Sequence, residues 1–137
     1  MKQTTLNIET PGRRLIDFTG KVHEVVADSG INIGFCHLFL QHTSASLLIN
    51  ENADPDVLTD LETFLSDLVP DGDSRFIHTA EGPDDMPAHV RTMLTQTSLT
   101  VPVSNGRLAL GTWQGIFLWE HRHRPHRRKV VVTLAQS

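Results

Sequence analysis

Histidine dominates the chemistry that this chain can offer. There are eight histidines in 137 residues, and imidazole is the side chain that changes charge near neutral pH and ligates borderline metals. His78-Thr79-Ala80-Glu81 is followed by His89 eight residues beyond Glu81. Two imidazoles and a carboxylate suit a divalent ion such as zinc, with room left for water. The spacing is not that of a recognised metal signature, and from the residues alone a solvated histidine pair is the default reading. A second cluster joins Gln41-His42-Thr43-Ser44-Ala45-Ser46 to Asn50-Glu51-Asn52-Ala53-Asp54, just before a helix. A helix N-terminus flanked by amide side chains suits an anion; the same residues also read as turn and capping groups with His42 in a surface loop.

Two further stretches have polar or backbone character that chemistry can use. Gly111-Thr112-Trp113-Gln114-Gly115 brackets a tryptophan with glycines, which suits a close backbone approach or a β-bulge. The run from His121 to Lys129 holds five cations, among them Arg122 and Arg127, and no acid. Guanidinium forks hold phosphate well, while a solvated hairpin loop explains the run as simply. The aromatic interleaving of single-strand nucleic-acid binders is absent from it. Cys36, the one cysteine, lies in an apolar segment and reads as an inert core thiol. A single thiol makes no intrachain disulfide, four-cysteine zinc site or thiolate iron–sulfur cluster. The chain has no tyrosine.

These residues need elements to position them. Strands are predicted at 2–9, 13–17, 32–41, 45–50, 75–79, 98–103, 107–110, 114–120 and 128–134, from alternation, β-branched content and flanking turn residues. Pro11-Gly12 is the turn between the first two, and Ser104-Asn105-Gly106 is a hairpin turn. A short helix starts at Thr19 as N-cap and stops at Gly30. The clearest helix covers 55–69, with Asp54 as cap, Pro55 in the first turn, and Val57, Leu61, Phe64, Leu65 and Leu68 on one stripe. Another, at about 86–95, is expected to bury Met86, Val90, Met93 and Leu94. No internal repeat, linker or low-complexity tract interrupts the chain, so residues 1–137 read as one α+β domain, mostly antiparallel sheet with two or three helices on it.

Length and composition agree with that reading. A chain of this size buries roughly two thirds of its unfolded surface and can hold a core without staples. Its 39% apolar and 20% charged residues fit a globular protein. The net charge of −4 argues against nucleic acid as a partner. Residues 51–90 carry eleven acidic side chains against one basic. The polar N-terminus, the lack of an apolar span and the lone thiol point away from a membrane and toward the cytoplasm.

Ser98, Val101, Val103 and Gly106, followed by Gly111-Thr112-Trp113-Gln114-Gly115-Ile116, resemble the signature of the YjbQ family, whose members are called secondary thiamine-phosphate synthase enzymes. His42-Thr43-Ser44-Ala45, Asn50 through Pro55, and His78 through Gly82 also match its pattern, so the likeness spans nearly the whole chain. The resemblance implies a β-sandwich subunit that assembles as a homotrimer, with the polar motifs converging on one pocket near a subunit boundary. It implies a weak thiamine-phosphate synthase-like activity, which joins a pyrimidine diphosphate to a thiazole phosphate and expels pyrophosphate, secondary to another physiological role. The chain departs from the family at Trp119, where members often carry a cysteine.

That chemistry needs charge stabilisation on the leaving pyrophosphate, normally by a divalent ion and basic donors. On this reading His78, Glu81 and His89 are the metal ligands. His42 is a further ligand or acid, and Glu51 and Asp54 orient the ligands or add carboxylates. Arg122 or Arg127 holds phosphate. Two imidazoles lean toward zinc and a pyrophosphate leaving group toward magnesium. Metal-dependent hydrolysis of a small phosphorylated metabolite is the alternative within enzymes. A non-catalytic trimeric metabolite-binding protein is the alternative outside them.

Overall fold

The computed structural model describes residues 1–136. Along the chain these form β1 (Lys2–Thr10), β2 (Arg14–Asp17), α1 (Thr19–Ser29), β3 (Gly34–Leu40), β4 (Ala45–Glu51), α2 (Pro55–Leu68) and α3 (Asp85–Leu94). β5 (Ser98–Ser104), β6 (Arg107–Leu108), β7 (Gln114–Glu120) and β8 (His126–Gln136) complete it. The strands make two antiparallel sheets, one of order β1-β8-β3-β5-β6 and one of order β2-β7-β4. This is an α+β fold with three helices.

Alternation in the strands builds the core. β8 buries Arg128, Val130, Val132 and Leu134 and turns the intervening side chains outward. Leu38 and Leu40 of β3 join Val130 and Val132 from the larger sheet, and meet Leu47, Ile116 and Leu118 from the smaller one, with Val22 and Val26 of α1. The other face of the smaller sheet carries Leu15, Leu48 and Trp119, which pack on Leu61 and Leu65 of α2 and Val90 of α3. Covered on both faces, β7 is buried from Gly115 to Glu120.

Local signals set the ends of several elements. Asp54 caps α2 by accepting the Asp56 N–H at 2.9 Å, with Pro55 behind it. Gly30 ends α1 at φ 73°. Asn105 and Gly106 both take positive φ, 52° and 75°, in the β5–β6 hairpin. At Pro11-Gly12 the chain passes from one sheet to the other, since β1 pairs with β8 and β2 with β7.

Three local expectations are corrected. Residues 75–79 form no strand; with no neighbouring strand to pair with, they lie in the loop between α2 and α3. The N-cap of α1 is Phe18, and the side chain of Asp17 accepts the Thr19 N–H at 2.9 Å. The helical stripes are only partly inward: Phe64 and Leu68 of α2, and Met93 and Leu94 of α3, are exposed. α3 instead buries Asp85, Pro87, Ala88 and Arg91, because the face it turns inward meets a network of polar groups.

Candidate functional site

The chain brings one titratable cluster of metal-ligating type together among the described residues: His78, Asp85 and His89, with ligand atoms all within 4.8 Å of one another. Asp85 and His89 are four apart on α3 and so share a face. His78 reaches them from the α2–α3 loop. Asp85 is buried, and its Oδ2 lies 2.7 Å from His78 Nε2 and 3.1 Å from His89 Nε2. The two rings meet edge to face with centroids 5.6 Å apart.

The proton positions follow from the outer contacts. His89 Nδ1 lies 3.0 Å from the Thr43 carbonyl oxygen, which can only accept, so Nδ1 carries the hydrogen and donates it. A neutral His89 then aims the lone pair of Nε2 at a carboxylate oxygen. Two lone pairs at that distance repel, so the arrangement calls for a cation between them, either a proton on the ring or a metal ion. Zinc–ligand bonds of about 2.0–2.2 Å place tetrahedral ligand atoms roughly 3–3.5 Å apart, and the two carboxylate–imidazole spacings of 2.7 and 3.1 Å lie at or just below the short end of that range. The residues fit a divalent ion.

Asp85 is held from behind. Arg122 donates from Nη1 to its Oδ1 at 2.6 Å, from Nε to Asp84 Oδ2 at 3.1 Å, and from Nη2 to the Glu81 carbonyl at 2.9 Å. Burial pushes the Asp85 carboxyl upward, but its hydrogen bond with His78 and the charges of His89 and Arg122 outweigh this and hold it below the usual carboxylate range. Asp84 is likewise held low: burial opposes ionisation, and the His123 backbone N–H and Arg122 prevail. Beside this centre a cleft of about 490 Å³ opens, sharing His78 with it and walled by Phe76, Pro83, Met86 and Pro87.

The other sequence candidates fall elsewhere. Glu81 stands 4.0 Å from His78 and is largely exposed, so Asp85 takes the carboxylate position assigned to it. Asp85 was legible only as an acid one helical turn before His89, one of eleven acids between residues 51 and 90. His42 Nε2 accepts the Lys129 backbone N–H at 2.9 Å and is not directed at the cluster. Burial, and then the nearby Arg128 charge, push the His42 pKa down. Glu51 and Asp54 lie at the far end of β4 from Thr43, a separation of about 20 Å for a strand of that length. There Glu51 accepts the Asp54 N–H and Asp54 caps α2, so within one chain this motif lies apart from the cluster as turn and capping residues, whereas the His42–Ala45 motif reaches the cluster through the Thr43 carbonyl. Arg122 is taken up by Asp84 and Asp85 rather than left to hold phosphate. Arg127 is exposed beside Glu9 on β1. Trp119 is buried and donates from Nε1 to Glu62 at 3.1 Å, away from the histidine cluster's hydrogen bonds. The Cys36 thiol is buried, which pushes its pKa to about 11, in keeping with an inert thiol.

Fold and site together define an α+β protein with a two-histidine, one-carboxylate cluster on the edge of a cleft. The family model described as "UPF0047 protein YjbQ-like" matches residues 4–137, and the chain belongs to that family. A UPF0047 protein of Synechocystis is 58% identical over 95% of this chain and 88% of its own length. The UPF0047 protein YjbQ of Escherichia coli O157:H7 is 46% identical over 97% and 95%. Among solved structures, a hypothetical protein from Aeropyrum pernix superposes with a TM-score of 0.91 at 29% identity, covering 100% of both chains. An uncharacterized YjbQ/UPF0047 protein from Clostridium acetobutylicum does so at 0.85 and 36%, covering 98% of this chain and 100% of its own. No helix among the described residues is long and apolar enough to cross a membrane.

Proposed function

We propose that the chain is a metal-dependent enzyme acting on a small phosphorylated metabolite, with one divalent ion held by His78, Asp85 and His89. The observation that carries this is the pair of imidazole nitrogens directed at one buried carboxylate oxygen, with the tautomer of His89 set by the Thr43 carbonyl. An ion bound there supplies a Lewis acid, which activates water or neutralises a phosphate leaving group. Three protein ligands leave coordination open to either.

Hydrolysis is the reading the geometry favours, because it asks for few cations beyond the ion itself. Arg122 is already engaged by two carboxylates, and Arg127 sits beside Glu9. Thiamine-phosphate synthase-like transfer is the second reading, favoured by the open coordination, which suits a diphosphate as well as a water. The test incubates zinc- or magnesium-loaded, untagged protein with the pyrimidine diphosphate, alone and with the thiazole phosphate. Metal-dependent phosphate release without thiamine phosphate supports hydrolysis, and thiamine phosphate with pyrophosphate supports the transferase. Binding without turnover leaves a metabolite-binding protein. Turnover undiminished in Asp85→Asn overturns the site.

The same reading includes a homotrimer of β-sandwich subunits working in the cytoplasm. What supports assembly is that Phe35 and Phe39 stand exposed on the outer face of β3, where the larger sheet carries no helix.

A further inference from the structure

We propose that the cleft beside His78 receives an uncharged, ring-sized apolar group of the ligand, whose metal-binding end lies on the ion at His78, Asp85 and His89. This rests on the metal-dependent reading above and adds the chemistry of what the cleft selects. The cleft and the metal cluster share His78, so one small molecule spans both. Its volume of about 490 Å³ lies within the ordinary range of small-ligand pockets. Phe76, Pro83, Met86 and Pro87 supply apolar walls, and Ser74 and Thr79 supply hydroxyls. Phe76 is half-buried and belongs to neither hydrophobic core, so its ring is placed for a ligand rather than for packing.

Charge decides against an anion in the cleft itself. No lysine or arginine is among the residues that line it, and the one carboxylate there, Asp73, is hydrogen-bonded by Arg75 from Nε and Nη2. Arg122, the cation nearest the metal cluster, has Nε, Nη1 and Nη2 committed to Asp84, Asp85 and the Glu81 carbonyl. A phosphate pushed into the cleft would lose water and gain no cationic partner. It belongs at the ion, and the apolar body of the ligand belongs against Phe76 and Met86.

The experiment uses full-length, zinc-loaded protein and three probes with one zinc-binding head: acetohydroxamate, benzohydroxamate and a para-sulfonated benzohydroxamate. Calorimetry should show benzohydroxamate binding about tenfold or more tighter than acetohydroxamate, from burial of the ring. The sulfonate should cancel much of that gain. Phe76→Ala and Met86→Ala should each shrink the ring's advantage while leaving acetohydroxamate affinity unchanged. Equal affinity for the first two probes, tighter binding of the sulfonated one, or a ring advantage that survives both variants overturns the proposal. Zinc that binds normally with no ring preference overturns this inference alone. Failure to bind zinc overturns this inference, and failure to bind zinc and magnesium alike overturns the metal-dependent reading with it.

Discussion

Asp85 and Glu81 pose the sharpest question at the scale of single residues, since each offers a carboxylate near His78. Asp85 is 2% exposed and contacts both imidazoles, whereas the Glu81 carboxylate reaches only 4.0 Å from one. Asp85→Asn is therefore expected to weaken zinc binding by about a hundredfold or more, and Glu81→Gln by less than about threefold, as measured by competition with a chelating dye. A larger loss in Glu81→Gln would restore the ligand set read from the sequence. His121 shows a different use of imidazole. It is wholly buried, with Nε2 2.9 Å from Ser46 Oγ, and burial first, then the charges of Arg91, Arg13 and Arg128, push its pKa down to about 2. Its folded pKa lies below its unfolded value of 6.5, so the unfolded chain takes up a proton in acid that the folded chain refuses. This stability is full above about pH 6.5 and is lost as pH falls below it, at about 1.4 kcal/mol per pH unit for one proton. Urea unfolding at pH 7, 6 and 5 should show that slope, and His121→Gln should flatten it. An unchanged slope would mean that His121 is protonated in the fold.

At the scale of elements, α2 and α3 are joined by ionic as well as apolar contacts. Arg91, fully buried on α3, donates to both oxygens of Glu62 on α2, at 3.2 and 2.9 Å, and to Ser66 at 2.8 Å. Glu62 also accepts from Trp119, which ties both helices to β7. Glu62→Gln keeps the shape but leaves the Arg91 charge without its counter-ion, and should lower unfolding stability by about 3 kcal/mol. A loss below about 1 kcal/mol would show that the pair is screened. Gly34 fixes how closely β3 and β8 approach, since a Cβ there would run into the Ala135 carbonyl oxygen. Gly34→Ala should therefore force the strands apart and cost roughly 1–3 kcal/mol by the same measurement. Most elements were legible because their signals are local: Asp54-Pro55 opens α2, Gly30 ends α1, and Asn105-Gly106 turns the β5–β6 hairpin. The expected strand at 75–79 failed because a strand needs a partner, which composition alone does not supply. The stripe of α3 was misjudged for a related reason: buried Arg91 is tolerable only because Glu62 and Ser66 meet it from another helix.

For the whole molecule, the exposed rings of Phe35 and Phe39 on an uncovered sheet face are an expense in water that association would remove. The trimer reading expects light scattering to give three times the chain mass of 15.3 kDa, and Phe39→Asp to shift the population toward monomer. A wild-type monomer at micromolar concentration would overturn it.

By itself the sequence determined the three helices and all but one of the expected strands, the antiparallel α+β class, the family, and two members of the cluster, His78 and His89, because alternation, caps, turns and motif spacing are written in neighbouring residues. Tertiary structure alone decided that Asp85 completes the cluster, since its value comes from a histidine seven residues back, another one turn ahead, and Arg122 from β7's end converging on one buried carboxylate. It also separated Glu51 and Asp54 from that cluster by the length of β4. Which polar groups meet is a matter of three-dimensional distance and burial, and neither is a property of sequence spacing.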